Sequence, residues 1–257
     1  MNNTVVAAAV VALFTIAAPA QAEETRKFNL GIGMFYSTGN YGGTQSTDIL
    51  YVPVTGKYQS NGWTLKLTVP YLRITGPGNV LNGVGLTGNP NVPTRSTQAG
   101  LGDVLAAVSH KVYDGGTAGF VVNLTGKIKF GTADSSKGLG TGQNDYALQL
   151  DLSKTMGNLT PFGSIGYKVY GSPAAYTLNN VFFGSLGIDY KFSHENNGGA
   201  LLTLRQKALA TGFPHREALL FVNHKFDKNW KTQGYVLRGF TNGSPRLGAG
   251  VAIDYQF

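Results

Sequence analysis

Alternation constrains this chain more than any other feature. Twelve segments after residue 26 show two-fold alternation of apolar and polar residues: 27–38, 46–59, 63–74, 101–113, 117–130, 143–154, 159–170, 181–192, 198–209, 215–226, 229–240 and 246–257. A period of two is the signature of a strand with one apolar face. Phe28, Leu30, Ile32, Met34 and Tyr36 share one parity; Lys27, Asn29, Gly31, Gly33 and Ser37 share the other. Leu186, Ile188, Tyr190 and Phe192 likewise oppose Ser185, Asp189 and Lys191. The final segment sets Leu247, Ala249, Val251, Ile253, Tyr255 and Phe257 against glycines, Ala252, Asp254 and Gln256. In the eleventh, Trp230 and Tyr235 fall on opposite parities, which a β-bulge would reconcile.

A water-soluble sandwich alternates too, but two features favour a membrane barrel. Aromatic residues mark strand ends on the apolar parity: Phe28 and Tyr36, Trp63 and Tyr71, Phe120 and Phe130, Tyr255 and Phe257. Such girdles sit at the two interfaces of a transmembrane barrel. Connections also alternate in length. Those after even-numbered segments are tight, such as "SNG", "DGG" and "MGN"; those after odd-numbered ones include Thr75–Gly100 and Gly131–Gly142. Outer-membrane barrels have short periplasmic turns and long outer loops. The expected fold is all-β: a 12-stranded antiparallel transmembrane β-barrel of the bacterial outer membrane. An even strand count returns the last strand to the first, and closure satisfies every backbone group where water is absent.

Composition fits this reading. Glycine is abundant at 36 residues, charged residues are only 13%, and there is no cysteine. Disordered and disulfide-built classes are thereby excluded. The formal charge is +8, yet no dense basic run or basic helix suggests nucleic acid as a partner. Residues 1–22 form an apolar stretch ending in Ala20-Gln21-Ala22, read as a cleaved secretory signal peptide; 23–257 is read as one barrel domain.

From residue 100 onward the runs "GLGDVLAAVSHKV", "NLTGKIKFGTAD", "GTGQNDYALQLDLSK", "PFGSIGYKVYG" and "FFGSLGIDYKF" resemble the outer-membrane family named for the MetA pathway of phenol degradation. That resemblance implies a barrel transporter of aromatic or other small solutes and identifies no binding residues. A final aromatic, Phe257, also resembles the signal read by the barrel-assembly machinery.

The polar parity is rich in cations: Lys27, Lys57, Lys66, Lys111, Lys127, Lys129, Lys168, Lys191, Arg205, Lys207 and Lys225, against Asp103, Asp151, Asp189 and Asp254. Lys127, Lys129, Lys168, Arg205 and Lys207 fall in the outer half of one wall, on strands 5, 7 and 9. One reading is lumen filler, with each cation neutralised by an acid. The other is an electropositive pore selecting anions. Inner aromatics at Phe35, Tyr51, Tyr113, Tyr170 and Phe183 either pack the lumen or stack a planar solute. The substrate path is accordingly assigned to Lys127, Lys129, Lys168, Arg205, Lys207, Tyr51 and Tyr170.

The expected function is passive uptake of small solutes, anionic and including aromatic carboxylates. The alternative is a structural or adhesive barrel with a blocked lumen, and behind it an outer-membrane lipid-modifying enzyme. Enzyme chemistry is disfavoured because Ser109 and His110 are adjacent in one strand and face opposite ways. No cofactor or metal is expected. Arg73 and Arg216, outward in phase near the outer rim, are candidates for lipopolysaccharide phosphates or for ordinary snorkelling.

Overall fold

The computed structural model describes residues 26–77, 80–81, 85–86 and 95–257. Twelve antiparallel strands form the barrel: β1 (Lys27–Gly39), β2 (Thr47–Ser60), β3 (Trp63–Pro77), β4 in two segments (Arg95–Leu101 and Leu105–Asp114), β5 (Phe120–Lys129), β6 (Asp145–Lys154), β7 (Leu159–Val169), β8 (Val181–Lys191), β9 (Asn196–Arg205), β10 (His215–Lys225), β11 (Trp230–Gly239) and β12 (Leu247–Gln256). Each pairs with the next, and β12 pairs with β1 from Asn29↔Gln256 to Thr38↔Leu247. The sheet closes through the second segment of β4, which pairs with β3 and β5; the first segment, Arg95–Leu101, pairs among the described residues with β3 alone. The seam extends one bond further, where the Phe257 amide donates to the Phe28 carbonyl at 2.9 Å.

The outward faces carry the apolar parity, and they are exposed. Leu186 is 70% exposed, and Leu30, Ile32, Met34, Leu148, Ile165, Leu202, Leu220 and Val251 are exposed with it. Water would tolerate no apolar belt of this extent on a monomer, whereas lipid is its natural solvent. Aromatic bands border it. At the short-turn end Phe28, Phe257, Tyr255 and Trp230 form a chain with centroid spacings of 5.4, 4.8 and 4.8 Å. At the other end Tyr167 packs on Phe182 at 4.8 Å. Asn61 and Gly62 make the tightest turn, both with positive φ (49° and 78°), as a two-residue hairpin with the right twist requires.

Four local expectations are corrected. The fourth strand is longer than residues 101–113. Its first segment pairs with the outer half of β3, from Tyr71↔Leu101 to Pro77↔Arg95, and its second pairs with the inner half. Part of Thr75–Gly100 is therefore strand. Residues 78–79, 82–84 and 87–94 lie outside those described, as do residues 1–25, which include the stretch 1–22 expected to be a leader. Secondly, β11 carries no bulge: its ladders to β10 and β12 run without a break, with Trp230 facing out and Tyr235 in. Thirdly, the irregularity sits in β4, between Lys111 and Tyr113. It turns Tyr113 outward, onto Phe120 at 6.1 Å, instead of into the lumen. Finally, β9 ends at Arg205, so Lys207 is not on a strand.

The lumen as candidate functional site

The inner parity builds two unlike walls in the outer half of the barrel. On one side, β1, β2, β3, β10 and β11 supply Phe35, Ile49, Tyr51, Leu72, Ile74, Phe221, Tyr235 and Leu237, all buried in one cluster. On the other, β5 to β9 supply the charged residues.

The charged wall is a network. Lys129 Nζ donates to Asp103 Oδ2 (2.7 Å), Thr141 Oγ1 (3.2 Å) and the Gln143 carbonyl (3.0 Å), and stands 3.5 Å from Asp145. Lys168 Nζ lies 3.0 Å from Asp145 and 4.1 Å above the Tyr170 ring. Lys127 donates to Gln149 Oε1 at 2.6 Å and lies 5.9 Å from the Phe183 ring centroid. Gln149 in turn donates to Asp151, which also accepts from Thr125 at 3.0 Å. Arg205 donates to the Tyr170 hydroxyl at 3.2 Å.

Lys127, Lys129, Lys168, Arg205 and Tyr170 are therefore brought together, as expected from their strands. Two other assigned residues are not. Lys207 lies exposed in the connection after β9 and donates to the Ala210 carbonyl at 2.6 Å. Tyr51 belongs to the apolar wall. Asp145, the acid shared by Lys129 and Lys168, was missed, although it lies on the same parity as Gln149 and Asp151. Its presence means that two of the wall's cations are locally neutralised.

The inner aromatics lie along the wall instead of across the lumen, and inner glycines make room for them. A Cβ on Gly250 would stand 2.4 Å from Tyr235 Cζ, on Gly248 2.6 Å from Phe35 Cζ, on Gly166 2.4 Å from Phe183 Cζ, and on Gly187 2.3 Å from Phe162 Cζ. No real Cβ tolerates such contacts, so these positions need glycine if the rings are to stay flat. Phe35 and Tyr235 also stack on each other, 5.6 Å apart and 17° from parallel.

One outer connection folds inward. Leu139 and Ala133, from the segment between β5 and β6, are buried in the apolar cluster with Leu72 and Ile74. The Ala133 amide donates to Asp103 Oδ1 at 3.0 Å, which ties this loop to the Lys129 ion pair. Within the loop, Asp134 accepts from the Ser136 hydroxyl (2.6 Å) and amide (3.0 Å) and the Lys137 amide (3.3 Å). The Ser136 hydroxyl contributes most to holding its carboxyl below the usual carboxylate range.

Ser109 faces inward, accepting from Thr125 at 3.0 Å, while His110 stacks on Trp63 outside at 4.2 Å. Arg73 and Arg216 are exposed on the outward face.

Closed sheet, apolar belt and polar lumen define a class: the transmembrane β-barrel of outer-membrane type. No protein-family model matches the chain, and no curated protein is similar to it. Among solved structures it is similar to the COG4313 outer membrane channel from Pseudomonas putida F1, with a TM-score of 0.70, 13% identity, and 92% of this chain and 97% of that one covered. It is also similar to the KdgM porin, with a TM-score of 0.53, 14% identity, and 89% and 99% covered. These likenesses are of fold, and the structures named are channels rather than enzymes.

Proposed function

We propose that the protein is a passive outer-membrane channel for small solutes, with anions favoured and aromatic carboxylates among them. The observation that carries this reading is the set of aromatic rings laid flat on inner glycines. A barrel selected only to be solid has no need to fold its largest lumen side chains against the wall. The wall of Lys127, Lys129, Lys168 and Arg205 lines one side of the path, with Lys129 and Lys168 held by Asp103 and Asp145. Tyr170, with Lys168 on its ring, and the opposite aromatic wall, whose Tyr51 is buried, are the rings that a planar solute would meet by parting these contacts. Similarity to a COG4313 channel and to the KdgM porin supports transport over enzyme chemistry. Membership of the MetA-pathway family, a leader at 1–22 with a single barrel domain at 23–257, lipopolysaccharide contact through Arg73 and Arg216, and recognition of Phe257 by the assembly machinery belong to the same proposal.

A second reading, the barrel with a blocked lumen, is favoured by one observation: Leu139 and Ala133 pack against the apolar wall at the outer mouth. Reversal potentials in a salt gradient separate the two. The channel reading expects anion selectivity that weakens as salt rises, because the Debye length falls from about 10 Å at 0.1 M to about 3 Å at 1 M. It also expects the selectivity to drop when Lys127, Lys168 and Arg205 are changed together to Gln. Cation selectivity, or selectivity indifferent to that triple change, removes the charged wall from the mechanism.

A further inference from the structure

In the outer half of the described wall, four strand cations face outward, and all are arginine: Arg73 on β3, Arg95 on β4, Arg216 on β10 and Arg238 on β11. The lumen at that end relies mainly on lysine, at Lys127, Lys129 and Lys168. Arg95 is committed, since it pairs with Asp48 and donates to the Ser46 carbonyl at 2.8 Å. Arg216 and Arg238 form a different arrangement. The ladder sets Arg238 opposite Ala218, and the Phe240 amide donates to the Arg216 carbonyl at 2.9 Å. The two arginines are therefore diagonal neighbours on adjacent strands, both exposed on the outward face. Such positions lie about 7–8 Å apart, within reach of long side chains. Neither forms an ion pair among the described residues. Glu217, next to Arg216 in sequence, faces the lumen beside His215 at 3.5 Å.

The aromatic girdle fixes their height. Tyr36, outward near the outer end of β1, pairs with Ala249, and Ala249 pairs with Val236. Arg238 is the next outward residue beyond Val236, so it stands one step past the girdle, at the level of lipid headgroups. Leu204, the partner of Arg216, and Leu247, the partner of Arg238, flank the pair and are exposed, as is Phe240. Leu220 and Val236 continue the apolar surface below. Two cations this close with no acid between them repel each other, the more so beside hydrocarbon. An anion held between them removes that repulsion. The molecule that supplies it must also cover apolar residues on both sides and below, which a free ion cannot do. Arginine's planar fork matches a phosphate bidentately, as lysine does not.

We infer that Arg216 and Arg238 form a clamp for one phosphate of lipid A, with Leu204, Phe240 and Leu247 around the headgroup and Leu220 and Val236 against the acyl chains. The clamp rests on the lipopolysaccharide contact proposed above and narrows it. Arg238 joins Arg216, while Arg73, five strands away around the wall, is not part of the site.

The test uses full-length protein refolded in lipopolysaccharide-free detergent, with the folding of each variant checked by heat-modifiable migration. Bisphosphorylated lipid A is titrated in and binding is read by native mass spectrometry. R216Q/R238Q should bind it about tenfold more weakly than the parent, or worse, the least expected for losing charge-assisted hydrogen bonds. Removing two exposed like charges should not impair folding. R73Q should bind as the parent does. Lipid A stripped of its phosphates should bind the parent and R216Q/R238Q alike. Equal affinity of the parent and R216Q/R238Q for bisphosphorylated lipid A overturns the proposal. Displacement of lipid A by an equal concentration of inorganic phosphate also overturns it, in favour of a free-ion site. Binding lost in R73Q but kept in R216Q/R238Q would leave the lipopolysaccharide contact standing and reject this clamp. A folded parent that binds no lipid A would reject both. These outcomes are read without current, so they hold whether or not the barrel conducts.

Discussion

The ring of Tyr235 lies over Gly250, so closely that a Cβ there would stand 2.4 Å from Cζ. The two are direct partners on β11 and β12, and the same device recurs at Phe35 with Gly248. Lumen width therefore depends on glycine. Gly250→Val should drive the Tyr235 ring toward the barrel axis and reduce single-channel conductance. Adding Tyr235→Ala should restore it, at a cost in stability of about 3–5 kcal/mol for the lost ring. A double variant that conducts no better than Gly250→Val would show that the ring does not set the width.

Asp103 holds two things at once: Lys129 on β5 and the backbone of the inward-folded loop at Ala133. Both side chains of the ion pair are largely buried. Removing one partner of a buried pair costs about 3–5 kcal/mol; Asp145 at 3.5 Å from Lys129 should keep the loss at the lower end. Asp103→Asn should thus lower the unfolding temperature in detergent and free Leu139 from the mouth, raising conductance. Lower stability with conductance unchanged would mean that the loop does not restrict flow.

Much of the barrel was legible because a membrane strand writes its environment into every second residue. Phe28 to Tyr36 and Leu186 to Phe192 needed only parity. The errors arose where parity was read too simply. The opposite parities of Trp230 and Tyr235 suggest a bulge, whereas Tyr235 is a lumen residue with glycine for a neighbour. The real irregularity, at Lys111 and Tyr113, falls where Val112 and Tyr113 are both apolar and the alternation says nothing. Lys207 kept inner parity on paper, but β9 ends at Arg205. The ladder makes a final contact through Gln206, which bonds to the Phe182 backbone, before the chain turns away. Which acid meets which lysine depends on the stagger between strands, so the sharing of Asp145 by Lys129 and Lys168 could not be read from either strand alone.

The belt makes its own demand. Leu186, outward near the middle of β8, should not tolerate charge. Leu186→Arg should cost about 2–4 kcal/mol of unfolding free energy in a lipid bilayer, as at the midplane of other barrels. An exposed position in water would change by no more than about 0.5 kcal/mol. A neutral outcome in bilayers would deny that this face meets lipid.

The loop between β5 and β6 should respond to acid. Asp134 has its carboxyl depressed by the Ser136 hydroxyl and by the Ser136 and Lys137 amides. A depressed pKa stabilises the folded loop above the ordinary carboxylate value of about 3.9, and this contribution is lost as pH falls through the folded value. Hydrogen exchange at Ser136 and Lys137, corrected for intrinsic pH dependence, should lose protection below about pH 4. Asp134→Ala should lack that protection at every pH. Protection that persists in acid would place the loop's order elsewhere.

The central claim is that solutes pass through this barrel. Single-channel recording of the refolded wild-type protein in planar bilayers addresses it most directly. The account predicts discrete current steps with a reversal potential favouring anions. A silent bilayer containing protein that is folded by heat-modifiable migration would contradict it and leave a closed structural barrel in its place.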